Sequence, residues 1–201
     1  MTASVSTLQP LRLSRRLAVP GLAVALALAT GCAKHRTYQN HDMDFGSIKT
    51  VAVLPFWNLT KDAQASDRVR DVFSNMLLAT QAVYVLPPGE VARGTGNLGL
   101  VQGAPPSTEE IVKLGGVLKV DAIITGVVRE YGEVRSGAAT SNVVSVSVQM
   151  FETGTGKVVW AGASTKGGVG WGSRLLGTAG GDPVNDVTEQ AVDDLLEQLF
   201  R

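Results

Sequence analysis

The sequence has few of the side chains on which most catalytic and metal sites depend. It contains one cysteine, Cys32, and two histidines, His35 and His41, among 201 residues. Both histidines lie in a polar segment near the start, so the rest of the chain offers no imidazole or thiol for a zinc site or a Ser-His or Cys-His pair. A single cysteine also excludes a disulfide within the chain. We therefore predict no metal ion, no cofactor and no catalytic residue, with a carboxylate-based wall hydrolase as the enzymatic alternative.

The chain also has no excess of positive charge. It carries 18 Lys and Arg against 18 Asp and Glu, and three of the arginines, Arg12, Arg15 and Arg16, precede Cys32. The residues from Cys32 onwards therefore carry 15 basic and 18 acidic side chains, without a basic cluster. Proteins that bind nucleic acid concentrate Lys and Arg on one surface. Nucleic acid is accordingly excluded as a predicted partner.

A run long enough to cross a membrane as a helix is missing as well. The uncharged stretch 17–29 has 13 residues and includes Pro20 and Gly21, whereas a membrane-spanning helix needs about 20 apolar residues. Arginines precede the stretch and small residues follow it. This order is typical of a secretory signal peptide, which has a basic start, an apolar centre and a small-residue cleavage site.

The single cysteine follows this signal directly. Residues 28–32 read Leu-Ala-Thr-Gly-Cys and resemble a bacterial lipobox, so we predict cleavage after Gly31 and acylation of Cys32. Several acyl chains, at about 0.8 kcal/mol per buried methylene, hold a protein firmly on a bilayer. Ala33 and Lys34 follow, rather than the aspartate that retains lipoproteins at the inner membrane. We therefore predict an outer-membrane lipoprotein whose domain faces the periplasm.

The chain divides into three parts. A signal peptide covers 1–31, and the lipidated cysteine with a flexible polar tether covers 32–47. The tether shows no apolar period and reaches roughly 50 Å when fully extended, which keeps the domain near its membrane. The remainder, 48–201, is long enough to bury a core of its own and is predicted as one folded domain.

Apolar patterns along this domain predict the element order β-α-β-α-β-β-β-α. The second helix begins with a capping box at Ser107, and the last begins at Pro183. Alternating strand and helix patterns predict an α/β (α+β) sandwich. Its mixed sheet has about five strands with an antiparallel C-terminal meander, packed by three main helices. The strands are predicted at 49–58, 82–88, 121–131, 142–151 and 158–165, and the helices at 60–80, 107–118 and from 183 onwards.

One face of a predicted strand is a candidate partner-binding surface. In 142–151, apolar residues alternate with Ser145, Ser147 and a glutamine. Because successive side chains of a strand point to opposite faces, the face with the serines meets water or a partner. A second motif, GTGNLG at 94–99, fits the dinucleotide-binding pattern. It does not run from a strand into a helix, so we assign it no nucleotide.

A glycine-rich loop is the other candidate contact surface. It covers 167–181 and contains three bulky apolar side chains. An exposed cluster of this kind marks a partner or membrane contact, and burial of the cluster in the core is the alternative. The three side chains are Trp171, Leu175 and Leu176.

Three segments resemble the CsgG-type, LpoB-like superfamily of periplasmic lipoproteins. They are VAVLPFWN at 51–58, LGGVLKVDAIITGVV at 114–128 and VSVQMFETGTGKVVW at 146–160. The most specific parts lie at 120–126 and 155–160, and the resemblance covers roughly 48–200. This superfamily includes a curli secretion channel and an outer-membrane activator of a penicillin-binding protein.

The resemblance implies an envelope protein. One difference from the pore-forming member of the superfamily limits the roles expected of this chain. Each membrane-crossing strand of a pore needs about 9–11 alternating residues. The insertion points at 134–142 and 167–181 are too short or too poor in apolar residues, so a curli-type pore is not expected. We predict a non-catalytic interaction or assembly factor that binds an envelope protein. Activation of a penicillin-binding protein is the alternative, and the channel resemblance leaves a homo-oligomer open.

Overall fold

Seven strands form one mixed sheet in the computed structural model, which describes residues 37–100, 105–136, 139–168 and 181–201. Residues from His35 onwards make up one compact unit. The strands are β1 (Tyr38–Gln39), β2 (Thr50–Val53), β3 (Trp57–Asn58), β4 (Tyr84–Val85), β5 (Ala122–Ser136), β6 (Ala139–Glu152) and β7 (Val158–Gly167).

The sheet combines parallel and antiparallel pairs in the order β1-β7-β6-β5-β2-β4. β5, β6 and β7 form an antiparallel meander, β2 and β3 both run parallel to β5, and β4 runs parallel to β2. The predicted α/β class, the mixed sheet and the antiparallel meander are confirmed. The sheet has more strands than the predicted five because β1 and β3, at two residues each, are too short to show an alternation.

Four α-helices lie within the described ranges, one more than predicted. They are α1 (Ala65–Ala79), α2 (Pro88–Asn97), α3 (Thr108–Leu118) and α4 (Val184–Leu199). The unpredicted α2 begins with proline, whose missing N–H is harmless at that position, but its three glycines lower its helical propensity. The motif at 94–99 lies at the end of α2, so residues 94–97 are helical and do not form a phosphate-binding turn. None of the helices described combines the length and the apolar character that a membrane span requires.

α1 and α4 cover one face of the sheet and enclose the larger core. Val144, Val146 and Val148 of β6 are at most 1% exposed beneath them, as the alternation predicted. The rings of Phe56 and Phe73 meet at a centroid distance of 5.9 Å with a tilt of 56°, a favourable arrangement for aromatic pairs. The apolar stripes of the two helices also supply Val69, Leu77, Val187, Ala191, Leu195 and Leu199.

α2 and α3 cover only part of the opposite face. They contact β2, β5 and each other, and a smaller core forms around Ile111 and Ile123. α3 approaches the turn between β6 and β7 closely, because a Cβ atom on Gly115 would lie 2.3 Å from Cβ of Thr153. Gly116 faces open space. Close packing therefore explains why α3 has a glycine at position 115. It gives no reason for the glycine at position 116.

Asp121 joins the starts of β2 and β5. Its carboxylate accepts hydrogen bonds from the backbone N–H groups of Lys49 and Thr50, each at 2.9 Å, and from the Thr50 hydroxyl at 3.0 Å. The Lys49 N–H, followed by the two Thr50 donors, lowers the pKa of Asp121 because these donors stabilise the charged form. This aspartate, one of the most specific residues of the family resemblance, therefore aligns two parallel strands.

The tether is shorter than the sequence indicated. β1 pairs with β7, and the Thr37 hydroxyl donates to Oε1 of Gln198 at 2.9 Å. Met43 packs against the larger core. Phe45–Ser47 form a 3₁₀ turn, and the Phe45 side chain also packs against this core. The prediction of a flexible tether over 32–47 is therefore wrong from Thr37 onwards. Backbone hydrogen bonds and two apolar side chains hold a segment whose composition is polar.

Candidate interaction surface

Among the described residues, no helix packs over the central part of the sheet where β5, β6, β7 and β1 face away from α1 and α4. α2 and α3 pack mainly on β2 and β5, and α3 also meets the turn between β6 and β7. We call this uncovered region the open sheet face. It consists of Tyr38, Trp57, Thr125, Val127, Ser147, Gln149, Ala161 and Ala163, which together line a groove of about 360 Å³.

The strand register arranges these side chains in two adjacent rows across the sheet. Each row carries one aromatic residue, and the two aromatic residues lie at opposite ends. Four strand spacings of about 4.8 Å separate them, which makes the face roughly 19 Å wide. Small and polar side chains form the floor between them. The rows are Tyr38-Ala161-Gln149-Thr125 and Ala163-Ser147-Val127-Trp57.

Backbone pairing holds both aromatic residues in place while their rings meet solvent. Tyr38 is 52% exposed and Trp57 is 42% exposed. Trp57 follows Phe56, and because side chains alternate along a strand, the phenylalanine turns into the core while the tryptophan turns outward. Aromatic residues that are fixed and exposed in this way are typical of binding surfaces.

A β-bulge adds a positive charge to the groove. The register between β5 and β6 shifts between Val128 and Glu130, which leaves Arg129 as the extra residue. Arg129 lines the groove together with the eight residues of the open sheet face. The groove therefore offers two aromatic rings, a guanidinium group, an amide and three hydroxyl groups, one of them the phenol of Tyr38. This combination suits stacking and hydrogen bonding to a partner.

The two serines predicted as partner contacts differ in position. Ser147 lies in the groove and is half-buried. Ser145 lies two residues nearer to the start of β6. Its hydroxyl shares a hydrogen bond of 2.9 Å with the hydroxyl of Thr165 on β7. The prediction that this face of the strand meets solvent is confirmed by the burial pattern. Partner contact by either serine stays a prediction.

The structure shows where the ends of the glycine-rich loop lie. The N–H of Gly168 donates to the Asn142 carbonyl at 2.7 Å, and Nδ2 of Asn142 donates to the Asp182 carbonyl at 2.9 Å. Both ends of 169–180 therefore meet at one residue of β6. The remaining predicted site residues lie outside the described residues and stay predictions: Gly31, Cys32, Trp171, Leu175 and Leu176.

The two exposed aromatic residues of the groove were not predicted as site residues. Tyr38 was assigned to the tether, and Trp57 was assigned to the end of a strand. One signal in the sequence points to Trp57, because only one of two consecutive aromatic residues on a strand can face a given core. The bulge that adds Arg129 has no sequence signal that we can identify.

The carboxylates with shifted pKa values lie away from the groove. The Ser107 backbone N–H, followed by its hydroxyl, lowers the pKa of Glu110, and Asp121 is held by the start of β2. Each stabilises the start of an element, and neither lines the groove. In the part of the chain that the structure describes, no three His, Cys, Asp or Glu side chains converge on a potential metal position.

The fold and the surface define a class: a small α/β sandwich domain in which one side of the sheet is half covered by helices. The sequence matches the GNA1162-like lipoprotein family over residues 42–197. The chain belongs to this family of lipoproteins. None of the curated protein sequences matches it significantly.

Solved structures show the same fold. A single-residue variant of the PelC dodecamer from Paraburkholderia phytofirmans has a TM-score of 0.55 and 19% identity, covering 81% of this chain and 97% of that one. Lipoprotein GNA1162 from Neisseria meningitidis has a TM-score of 0.53 and 18% identity, covering 76% and 98% of the two chains. At these identities the likeness shows the fold alone. The LpoB C-terminal domain from Escherichia coli, at a TM-score of 0.45 and 12% identity over 62% of this chain and 87% of that one, is too distant to support an argument.

Proposed function

We propose that this chain is an outer-membrane lipoprotein that acts as a non-catalytic interaction or assembly factor in the cell envelope. Family membership and the signal that ends in Gly31-Cys32 support the lipid anchor. The open sheet face carries the proposal of a binding role, because it holds two aromatic rings at fixed, solvent-exposed positions.

The shortened tether keeps this face close to the bilayer. Cys32 and Thr37 are five residues apart, which corresponds to about 17 Å of fully extended chain. Tyr38 of the open sheet face comes next along the chain. In this proposal a partner therefore meets the domain within reach of the membrane surface. Activation of a penicillin-binding protein requires that the synthase itself approach to this distance.

Assembly with further copies of the chain is a second candidate function. PelC, which has a similar fold, is described as a dodecamer. A ring needs two different surfaces on each copy that fit one another head to tail. The open sheet face supplies one such surface. Native mass spectrometry of the processed protein distinguishes a closed ring from a monomer that binds another protein.

The glycine-rich loop remains a proposed second contact element. Trp171, Leu175 and Leu176 are its bulky side chains, and both loop ends are attached at Asn142. A pore of the curli type is not proposed, because the hairpin of β5 and β6 already closes with the pair Ser136 and Ala139. The placement of the chain in the wider CsgG-like superfamily is also a proposal, supported by the sequence segments quoted above.

Photo-crosslinking in intact cells tests the proposed binding role. A p-benzoylphenylalanine is placed at Ser147 in the groove, and a matched control is placed at Val117, which is 46% exposed on α3. We expect ultraviolet-dependent adducts from position 147 and none from position 117, and mass spectrometry then shows whether the partner is another protein or a second copy. Adducts at 117 alone, or at neither position, would contradict the proposal.

The anchor is tested separately with Cys32→Ser. We expect this variant to lose the acyl mass and to leave the outer-membrane fraction, because several buried acyl chains supply the membrane affinity. The variant with Ser145→Ala is the control and stays in the membrane fraction. A Cys32→Ser protein that remains in the outer membrane would show that another element anchors the chain.

A further inference from the structure

A second cavity lies on the helix-covered side of the sheet, remote from the open sheet face. We call it the basal pocket. It opens between the C-terminal ends of α1 and α4 and the segment that leads into β2, and its volume is about 400 Å³. This volume falls within the range of small-molecule pockets, about 300–1,000 Å³.

The inner wall of the basal pocket is apolar and belongs to the fixed core. Ile48, Leu77 and Met150 line it and are at most 4% exposed. Leu199 adds a fourth buried apolar side chain, and Phe45 packs against the same core from the 3₁₀ turn. These side chains come from four different elements. The wall is therefore held in place by the packing of the domain.

Two cationic side chains line the basal pocket. Among the described residues that line it, Lys49 and Arg201 are the only ones with an ionisable side chain. Arg201 lies 3.7 Å from Glu197 in a pair that is largely exposed to solvent, so screening leaves this pair weak. Asp121 accepts a hydrogen bond from the backbone N–H of Lys49, and the ammonium charge of Lys49 is among the causes that lower the pKa of this carboxyl group. Phe200, 48% exposed, adds a further apolar side chain to the lining of the pocket.

A ligand that fits this pocket needs an apolar part for the interior and an anionic group for the two cationic side chains. We propose that the basal pocket binds a single acyl chain with an anionic head group, of the fatty-acid class. The chain lies against Ile48, Leu77 and Leu199, and the head group pairs with Lys49 and Arg201. This site is separate from the open sheet face, and its occupancy is independent of the proposed function of that face.

Calorimetric titration with three twelve-carbon probes tests the proposal. The probes are dodecanoate and dodecyltrimethylammonium, each below its micelle concentration, and dodecanol below its solubility limit. They are added to the compact unit 35–201, which lacks Cys32. We expect saturable one-to-one binding of dodecanoate, binding of dodecanol that is at least tenfold weaker, and no measurable binding of the cation. The order follows from the charge of the two cationic side chains.

Variants separate the two parts of the site. Ala82→Trp fills the mouth from an exposed position and is expected to lower dodecanoate affinity at least tenfold. Lys49→Gln combined with Arg201→Gln is expected to bring dodecanoate affinity down to that of dodecanol, which stays unchanged. Lys113→Gln on α3 is the control and leaves both affinities unchanged. Circular dichroism melting verifies that each variant folds.

Three results would overturn the proposal. The first is that dodecanoate shows no saturable binding to the folded unit. The second is that Ala82→Trp folds and binds dodecanoate with unchanged affinity. The third is that the cationic probe binds as tightly as dodecanoate, which would show that the lysine and the arginine do not select the ligand.

Discussion

The two faces of β6 show how one strand serves two purposes. Toward α1 and α4 it presents Val144, Val146 and Val148, all fully buried. Toward the open sheet face it presents Ser145 and Ser147, which stay partly exposed. The backbone is shared, so the two faces differ in their side chains and in what packs against them.

This difference separates stability from recognition within one sheet. Burial of apolar surface at about 25 cal/mol per Å² stabilises the covered face. The open face buries little apolar surface and contributes little to this stabilisation, so its side chains are available for contact with a partner. Substitutions on the two faces are therefore expected to have opposite signatures: lost stability on one, and lost binding with retained stability on the other.

The largest contrast is expected between two aromatic residues. Phe73 lies on the buried face of α1 and is 1% exposed, and its change to alanine should cost about 3–5 kcal/mol of unfolding free energy because a large cavity is left. Trp57→Ala on the open face should cost about 1 kcal/mol or less. Urea denaturation of both variants measures the difference. Equal losses would show that Trp57 belongs to the core and that the comparison is wrong.

A smaller contrast is expected between two neighbouring glycines of α3. Gly115→Ala should destabilise the domain by about 1–3 kcal/mol, since the new methyl group meets Thr153. Gly116→Ala points into open space and should stabilise the domain by about 0.5–1 kcal/mol through helix propensity. Thermal melts of the two variants give the sign directly. If both destabilise, the packing of α3 is closer than described.

The smallest effect is expected at Asp121. Its pKa is lowered in the folded state, so its stabilising contribution is complete above the unfolded pKa of about 3.9 and is lost as pH falls through the folded value. Asp121→Asn should cost no more than about 1 kcal/mol at pH 7, because the site is exposed and screened. Urea midpoints at pH 7 and pH 3 should show the cost shrinking at the lower pH. A cost that grows on acidification would contradict this assignment.

Much of the covered face could be predicted from the sequence. The alternation in β6 and the apolar stripes of α1 and α4 are long, regular patterns, and each corresponds to an element that the structure contains. The capping box at Ser107 is also present as predicted. Long periodic segments are predictable because their own burial pattern determines them.

The open face was less predictable because distant pairing determines it. Tyr38 reaches the sheet through only two residues of β1, in a segment without apolar period. α2 was missed because of its glycines, although Gly94 has a packing reason: a Cβ atom there would lie 2.3 Å from Cδ2 of Leu118. Contacts between residues far apart in the chain leave little local trace in the sequence.

Partner recovery by a variant that lacks both aromatic side chains tests the account most directly. The processed lipoprotein is purified with its bound proteins as the native chain and as Tyr38→Ala combined with Trp57→Ala, and both are quantified by mass spectrometry. We predict at least a tenfold loss of specific partners, a second copy included, with a melting temperature unchanged within a few degrees. Full recovery of partners by a folded double variant would show that the open sheet face is not the binding surface.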